Sequence, residues 1–356
     1  MNKLELLYAK LVFRLNTEKR MAICRKLASL LRNDFTLMNA LGRLEMVESK
    51  GGKKPNEPFA IVMREWQKNL ERGMSFSDAT RGWVPPIETL LVTSGNISNL
   101  VVALENVGRV VDGMQRITRA MRSAILYPLF LLLLTFGIVI MVGVYLVPPL
   151  AEIAGDNIVW RGAARSLVGL SDFCINYWPY IAGGIGAVIL ILWLTLANWT
   201  GRGRAMFDKI PPYNIYKIQI GVGWLMALAA MVRSGVTIPD AMRMLADNGN
   251  RYLRSILDEA LHYVANGENL GVALNHTGRN FPDEDIVGDL MIYADMNEFG
   301  QNLNQVANDY LAESVRKMES ISNVMNSIGI LLVSGIIAWV VFGTFGMQEQ
   351  ITSVLQ

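Results

Sequence analysis

Charge is missing from three long stretches of this chain. No Asp, Glu, Lys or Arg occurs in residues 123–151, 173–201 or 320–348, and each window is 29 residues long. A helix crossing a membrane needs about 20 apolar residues, whereas a surface helix of a soluble domain shows a polar stripe within that length. The windows therefore exclude an ordinary soluble fold. Histidine and cysteine are scarce as well, with His262, His276, Cys24 and Cys174 the full set. No disulfide framework or metal-ligand spacing can be built from them. The apolar windows also lack the intramembrane ionisable residues that mark ion or solute pathways. Gly51-Gly52-Lys53-Lys54 lacks the second spaced glycine and the Ser/Thr that a phosphate loop requires. The chain is therefore expected not to be an enzyme, to hold no cofactor or metal, and to bind no nucleic acid.

What is present is a segregated pattern. The best spans are Leu126–Val147, Trp178–Leu196 and Ile328–Phe345. A fourth apolar run, Ile218–Val232, has 15 residues; that is short for a span and fits a buried core helix. Arg109, Arg116, Arg119 and Arg122 precede the first span, Arg202, Arg204 and Lys209 follow the second, and Arg316 and Lys317 precede the third. The segment between the first two spans holds only Arg161 and Arg165, and the last ten residues hold no Lys or Arg. Basic residues favour the cytoplasmic side. The expected order is a cytoplasmic domain (1–122), a transmembrane helix (123–149), a periplasmic loop (150–172) and a second transmembrane helix (173–199). A second cytoplasmic domain (200–319), a third span (320–346) and a periplasmic tail (347–356) complete it.

The two cytoplasmic segments repeat each other. Leu27–Leu44 and Leu228–Leu245 are identical at Leu27/Leu228, Ala28/Ala229, Arg32/Arg233, Thr36/Thr237, Ala40/Ala241 and Leu44/Leu245. The shared pattern is a helical hairpin. Gly235, with Asp34 in its place in the first copy, supplies the left-handed residue that closes one helix. Thr36 and Thr237 cap the next. Further on, Gly73 and Gly267 each precede an alanine by six residues, and Leu100 matches Leu303. The expected fold is an all-α membrane protein with three transmembrane helices and two homologous cytoplasmic helical-bundle domains. The copies differ in charge. Residues 1–122 carry 20 basic and 12 acidic side chains, net +8, and residues 200–319 carry 11 and 15, net −4. A basic copy suits anionic lipid headgroups; the asymmetry also suits different partners, or the two copies facing each other in an oligomer.

Together these residues resemble the type II secretion F family, inner-membrane platform proteins of type IV pilus and type II secretion machines. Ser123-Ala124-Ile125-Leu126-Tyr127-Pro128 resembles the family's entry into its first span, Val147-Pro148 the exit, and Pro211-Pro212 with Ser234-Gly235-Val236 the opening of the second domain. The family's Gly-Glu-x-Ser-Gly-x-Leu stretch is degenerate here. Gly95–Leu100 lacks the acid, while the second copy keeps Glu298 and Gly300.

The resemblance implies a platform in the bacterial inner membrane, N-terminus cytoplasmic and C-terminus periplasmic, with the type IVb pilus systems as the first choice. It implies a cytoplasmic hexameric assembly ATPase, pilin subunits, other inner-membrane pilus or secretion components and further copies of the chain as partners. Tyr127, Pro128 and Pro148 are the expected pilin or platform contacts, and Arg32, Arg43 and Arg109 the expected ATPase face. Arg233, Gly235, Gly73, Gly267, Glu298 and Gly300 define the repeat. The alternatives are a type II secretion platform and, from another class, a transporter or channel subunit.

Overall fold

The computed structural model describes residues 3–93, 100–154, 159–293 and 299–355. Among the described residues every regular element is helical. The chain divides into two compact units, residues 1–118 with 197–314, and residues 119–196 with 315–356. Both charged repeats thus lie in one unit.

The first repeat comprises α1 (Lys3–Leu15), α2 (Thr17–Arg32), α3 (Leu37–Glu48), α4 (Pro58–Glu71), α5 (Phe76–Thr80) and α6 (Pro86–Thr93), then the start of α7 (Leu100–Met141). The second follows the same order: α10 (Arg202–Phe207), α11 (Tyr213–Arg233), α12 (Ile238–Asn248), α13 (Arg251–Ala265), α14 (Leu270–His276), α15 (Glu284–Tyr293) and the start of α16 (Phe299–Leu355). The duplication extends to the caps. After α2, Asp34 takes φ 62° and the Thr36 hydroxyl accepts from the Asn39 amide at 3.3 Å. After α11, Gly235 takes φ 90° and Thr237 accepts from the Asp240 amide at 3.4 Å. Gly73 and Gly267 close α4 and α13 at φ 81° and 92°. The residues that cap α5 and α14, Ser75 and Asn269, then accept from Asp78 and Val272 amides at 3.1 and 2.9 Å. Each left-handed residue lets the backbone satisfy carbonyls that the helix end leaves open.

Aromatic side chains fill the cores. Phe13 and Trp66 meet edge to face at 5.4 Å, as do Trp66 and Phe76 at 5.5 Å. In the second repeat Trp224, Phe281 and Tyr252 form the corresponding cluster. Helix α11 is buried around most of its circumference from Gly221 to Met231. Its apolarity is spent on protein packing, as for any helix that is hydrophobic all round and lies in a core. The two repeats meet through α7 and α11, where Met114 lies against Gly223 and Met226 against Gly113.

Three helical stretches are long and apolar enough to cross a membrane: Leu100–Ile153, Tyr213–Arg233 and Asn302–Ser353. Tyr213–Arg233 is the buried α11 of the first unit, and the apolar parts of the other two lie in the second unit. A fourth is added if α9 (Gly162–Asn198) counts as one span, since it bends by 69° between Tyr177 and Ala182. Large apolar side chains such as Leu126, Phe130, Trp193, Leu331 and Phe342 are exposed on these helices. Such a surface is stable only against lipid. The expected loop at 150–172 is helical at both ends, with α8 (Val147–Ala154) and the start of α9, and α16 continues through the expected tail to Leu355.

A small core joins these elements: Val142, Val147, Ala164, Leu167 and Met347 are buried together. Gly343 admits the Leu167 side chain and Gly329 admits that of Leu131. Gly183, Gly184, Gly186 and Gly335, by contrast, have no neighbour where a β-carbon would stand. The Trp339 indole donates to the Ser166 hydroxyl at 3.0 Å, and the Gln350 amide exchanges two hydrogen bonds with the Arg161 backbone.

Candidate functional site

The first unit has a groove between α2 and α7, about 420 Å³ in volume. Its floor is Ala28, Leu104 and Gly108, and its rim is Arg25, Arg32, Arg109, Glu105 and Asp112. Heptad-like spacing of Arg25 and Arg32 on α2, and of Glu105 and Asp112 on α7, aligns the charges along the two lips. Arg25 pairs with Asp112 at 3.6 Å, and Arg32 pairs with Glu105. All four side chains are at least one-third exposed, so these pairs add little to stability and remain open to exchange with another partner. Arg109 donates to the Asn106 side chain at 2.6 Å. Burial of its stem, and then the nearby charge of Arg233, hold its guanidinium below the ordinary value.

The structure thus brings Arg32 and Arg109 to one groove, with Arg25 as a third cation. Arg43 lies outside it on α3, stacked 4.4 Å over Phe35. In the membrane unit Tyr127 is exposed and Pro128 buried, while Pro148 is half-buried. Pro128 lies inside α7 and not in a first turn. Glu298 and the Gly95–Asn99 stretch fall outside the described residues. Gly300 does lie within them, on α16, where an added β-carbon would meet Val232 at 3.4 Å.

Two buried ion pairs lie outside the candidate site residues singled out in the sequence. Arg20, 1% exposed, donates from Nε and Nη2 to both oxygens of Glu88 at 2.9 and 2.7 Å, and from Nη1 to the carbonyls of Phe13 and Arg14. Burial, outweighing the Arg20 partner, raises the Glu88 carboxyl above its ordinary value. In the second repeat Arg204 pairs with Asp208 at 2.8 Å, and the Tyr252 hydroxyl donates to the same carboxylate at 2.9 Å. Arg204 also lies 4.7 and 4.4 Å from the rings of Tyr213 and Tyr252. Arg204 is therefore a core residue and not a contact for lipid headgroups. Its partner Asp208 stands four residues on, a spacing that could have signalled the pair; Glu88 stands 68 residues from Arg20 and gave no such signal.

Among the described residues no group of His, Cys, Asp and Glu is arranged to hold a metal. His276 pairs with Glu268 at 3.0 Å against the Tyr263 ring. The arrangement suits binding of a charged partner at the groove.

The model of the type II secretion system protein F matches residues 23–148 and 224–346, one copy on each repeat together with the apolar helix that follows it. The chain belongs to the type II secretion system protein F family. This family member is 21% identical over 349 residues to the toxin coregulated pilus biosynthesis protein E of Vibrio cholerae, covering 94% of this chain and 98% of that one. It is 23% identical over 335 residues to the type IV pilus assembly protein PilC of Thermus thermophilus, covering 90% and 79%. A HofC homologue from Escherichia coli, a protein transport protein, is 21% identical over 275 residues, covering 74% and 67%. This protein F family member is a membrane protein built from two copies of the family's domain.

Proposed function

We propose that this chain is the inner-membrane platform of a type IV pilus assembly machine. It couples a cytoplasmic hexameric assembly ATPase to the insertion of pilin subunits into the fibre. The observation that carries this reading is colinearity with the Vibrio cholerae pilus biosynthesis protein over 98% of that protein's length. The positive-inside distribution of Lys and Arg supports an N-terminus in the cytoplasm and a C-terminus in the periplasm. The +8 first repeat offers the ATPase a basic surface that includes Arg43. Exposed Tyr127 at one end of the span and half-buried Pro148 at the other are presented to pilin or to a neighbouring platform, and buried Pro128 supports Tyr127 from within α7. The chain self-associates and works without an active site of its own, because the force comes from its partner. A type II secretion platform is the second reading, favoured by the resemblance to a protein transport protein.

The test is a deletion strain examined by electron microscopy for surface fibres and by assay for secreted proteins. Loss of fibres, restored by the intact gene, supports the pilus reading. Loss of secretion with fibres intact moves the chain to the second reading, and a strain normal in both overturns the platform role.

A further inference from the structure

The chain makes one interface once where its duplication provides for it twice. The repeats register with an offset of 201 residues between α2 and α11 (Leu27 on Leu228) and 203 between α7 and α16 (Leu100 on Leu303). Burial supports the second offset: Ala103/Val306, Leu104/Ala307, Val107/Tyr310 and Val111/Ser314 are buried in both copies. The α2/α7 groove residues Arg25, Ala28, Ser29, Leu104 and Glu105 then correspond to Met226, Ala229, Ala230, Ala307 and Asn308. In the second repeat that groove is occupied. Asn106, Arg109 and Val110 of α7 close it, and Asn106 donates to the Ala230 carbonyl at 3.3 Å and the Ser234 hydroxyl at 3.0 Å.

Both complementary halves of the second interface have exposed positions. The first repeat's groove is open, and the α16 positions matching Asn106, Arg109 and Val110 are Asp309, Ala312 and Glu313. Asp309 and Ala312 are exposed, and Glu313 is half-buried. The groove carries Arg25 where the second repeat has Met226, together with Arg32 and Arg109; Glu105 and Asp112 share its rim, so three cations stand against two carboxylates and the balance is positive, opposite to the other half. The α16 face carries Asp309 and Glu313 beside Asp285 and Asp289 of α15. Partial burial, then the charges of Asp285, Glu313 and Asp309, raise the Asp289 carboxyl; a facing cation relieves that repulsion.

We propose that the α2/α7 groove of one chain receives the Asp309–Glu313 face of α16 from a second copy of the same chain. The contact is head to tail, so it builds a ring or an open row. It gives the self-association proposed above a surface, and rests on that reading only for the identity of the partner. Opposite charges that meet in this way set register and exclude wrong pairings.

The test uses the full chain in native membranes, with Cys24→Ser and Cys174→Ser as background. Two differently tagged copies are co-expressed, one carrying Ser29→Cys and the other Asp309→Cys. These positions correspond to Ala230 and Asn106, which touch within the chain. On mild oxidation the mixed pair is expected to give a disulfide-linked dimer, and neither variant alone should. A dimer from a single variant, or none from the mixture, overturns the proposal.

A second measurement keeps the proposal falsifiable if a cysteine variant folds poorly. Arg25→Glu with Arg32→Glu should weaken self-association by about tenfold or more, and Asp309→Lys on the partner copy should recover it. Self-association unchanged in the double variant, with ATPase binding lost, would assign the groove to the ATPase instead. A dimer that forms in a strain whose fibres never depended on this chain would overturn the platform reading and leave the contact standing.

Discussion

Met114 packs into the space that a side chain on Gly223 would fill, its sulfur 2.5 Å from where that β-carbon would stand. Met226 does the same over Gly113, with Leu311 closing on the same point at 3.2 Å. The exchange lets α7 and α11 approach closely and seats the first repeat against the second. Methionine suits the task because its unbranched thioether adapts to irregular gaps.

That adaptability sets the first prediction. A β-carbon at Gly113 meets side-chain ends that can move, whereas one at Gly271 meets the backbone of Leu290 and Met291 at 2.6 Å. Gly271→Ala should therefore destabilise the purified full chain by about 1–3 kcal/mol, and Gly113→Ala by less. Thermal unfolding in detergent, followed by tryptophan fluorescence, ranks the two. Equal midpoints would show that α14 and α15 are free to separate.

The Arg20–Glu88 pair yields the second. Each partner is nearly free of solvent, so removing one strands the other's charge. Glu88→Gln should cost about 3–5 kcal/mol, while Arg20→Met with Glu88→Leu together should cost less than either alone. The pH dependence has a definite sign. Burial raises the Glu88 carboxyl in the folded chain, so the folded state holds its proton to higher pH than the unfolded one. This group's contribution to stability falls as pH climbs from the ordinary carboxylate range through the raised value. Unfolding midpoints of the intact chain and Glu88→Gln across that range should differ in slope accordingly.

How much of this was legible depended on distance along the chain. The caps at Thr36 and Thr237 and the left-handed Gly73, Gly235 and Gly267 are local, written in four or five adjacent residues, and the duplicated hairpin displayed them twice. The apolar windows were equally plain, because lipid acts on every residue in turn. The α2/α7 groove was half legible: Arg32 and Arg109 stood out as cations, but Arg25 and their acidic partners did not. What brings them together is a helix pairing across some 70 residues of chain. Gly343 and Gly329 could not be told from Gly183 or Gly335, since a glycine in an apolar run does not reveal which neighbour it faces. Pro128 lies inside α7, which runs through it from the charged unit, and a proline in an apolar run does not say whether a helix starts there or passes through.

Cys24 gives the third prediction. Burial, and then the charge of Glu88, push its thiol up to about 12. At pH 8 the folded protein holds roughly a thousandfold less thiolate than an ordinary cysteine, each unit being tenfold. In a Cys174→Ser background the full chain should resist maleimide until unfolded. In the same background stability should fall as pH rises from about 9, where the unfolded thiol ionises, towards about 12, where the folded one does. Cys24→Ala should lack that component, and rapid labelling of the native chain at pH 8 would contradict the buried placement.

The fourth prediction concerns the turn before α8. Residues Val142–Leu146 form a π-helical turn, in which the Val147 amide donates to the Val142 carbonyl. That pairing takes the donor Gly143 would use in an α-helix, and Pro148, next in line, has no amide to replace it. The Ser171 hydroxyl donates to the Gly143 carbonyl instead. Within a membrane an unmet carbonyl has no water to turn to, and polar contacts between membrane helices are worth about 0.6 kcal/mol on average, up to about 1.7. Ser171→Ala should lower stability by that order, and Ser171→Thr, which keeps the hydroxyl, should recover most of it. Pro148→Ala supplies the amide that position 148 lacks, so it should make Ser171 dispensable: the Ser171→Ala penalty should shrink towards zero in that background. Unfolding of the four proteins in mixed detergent micelles completes the double-mutant cycle. An undiminished Ser171→Ala penalty after Pro148→Ala would mean that Ser171 does something other than satisfy the carbonyl.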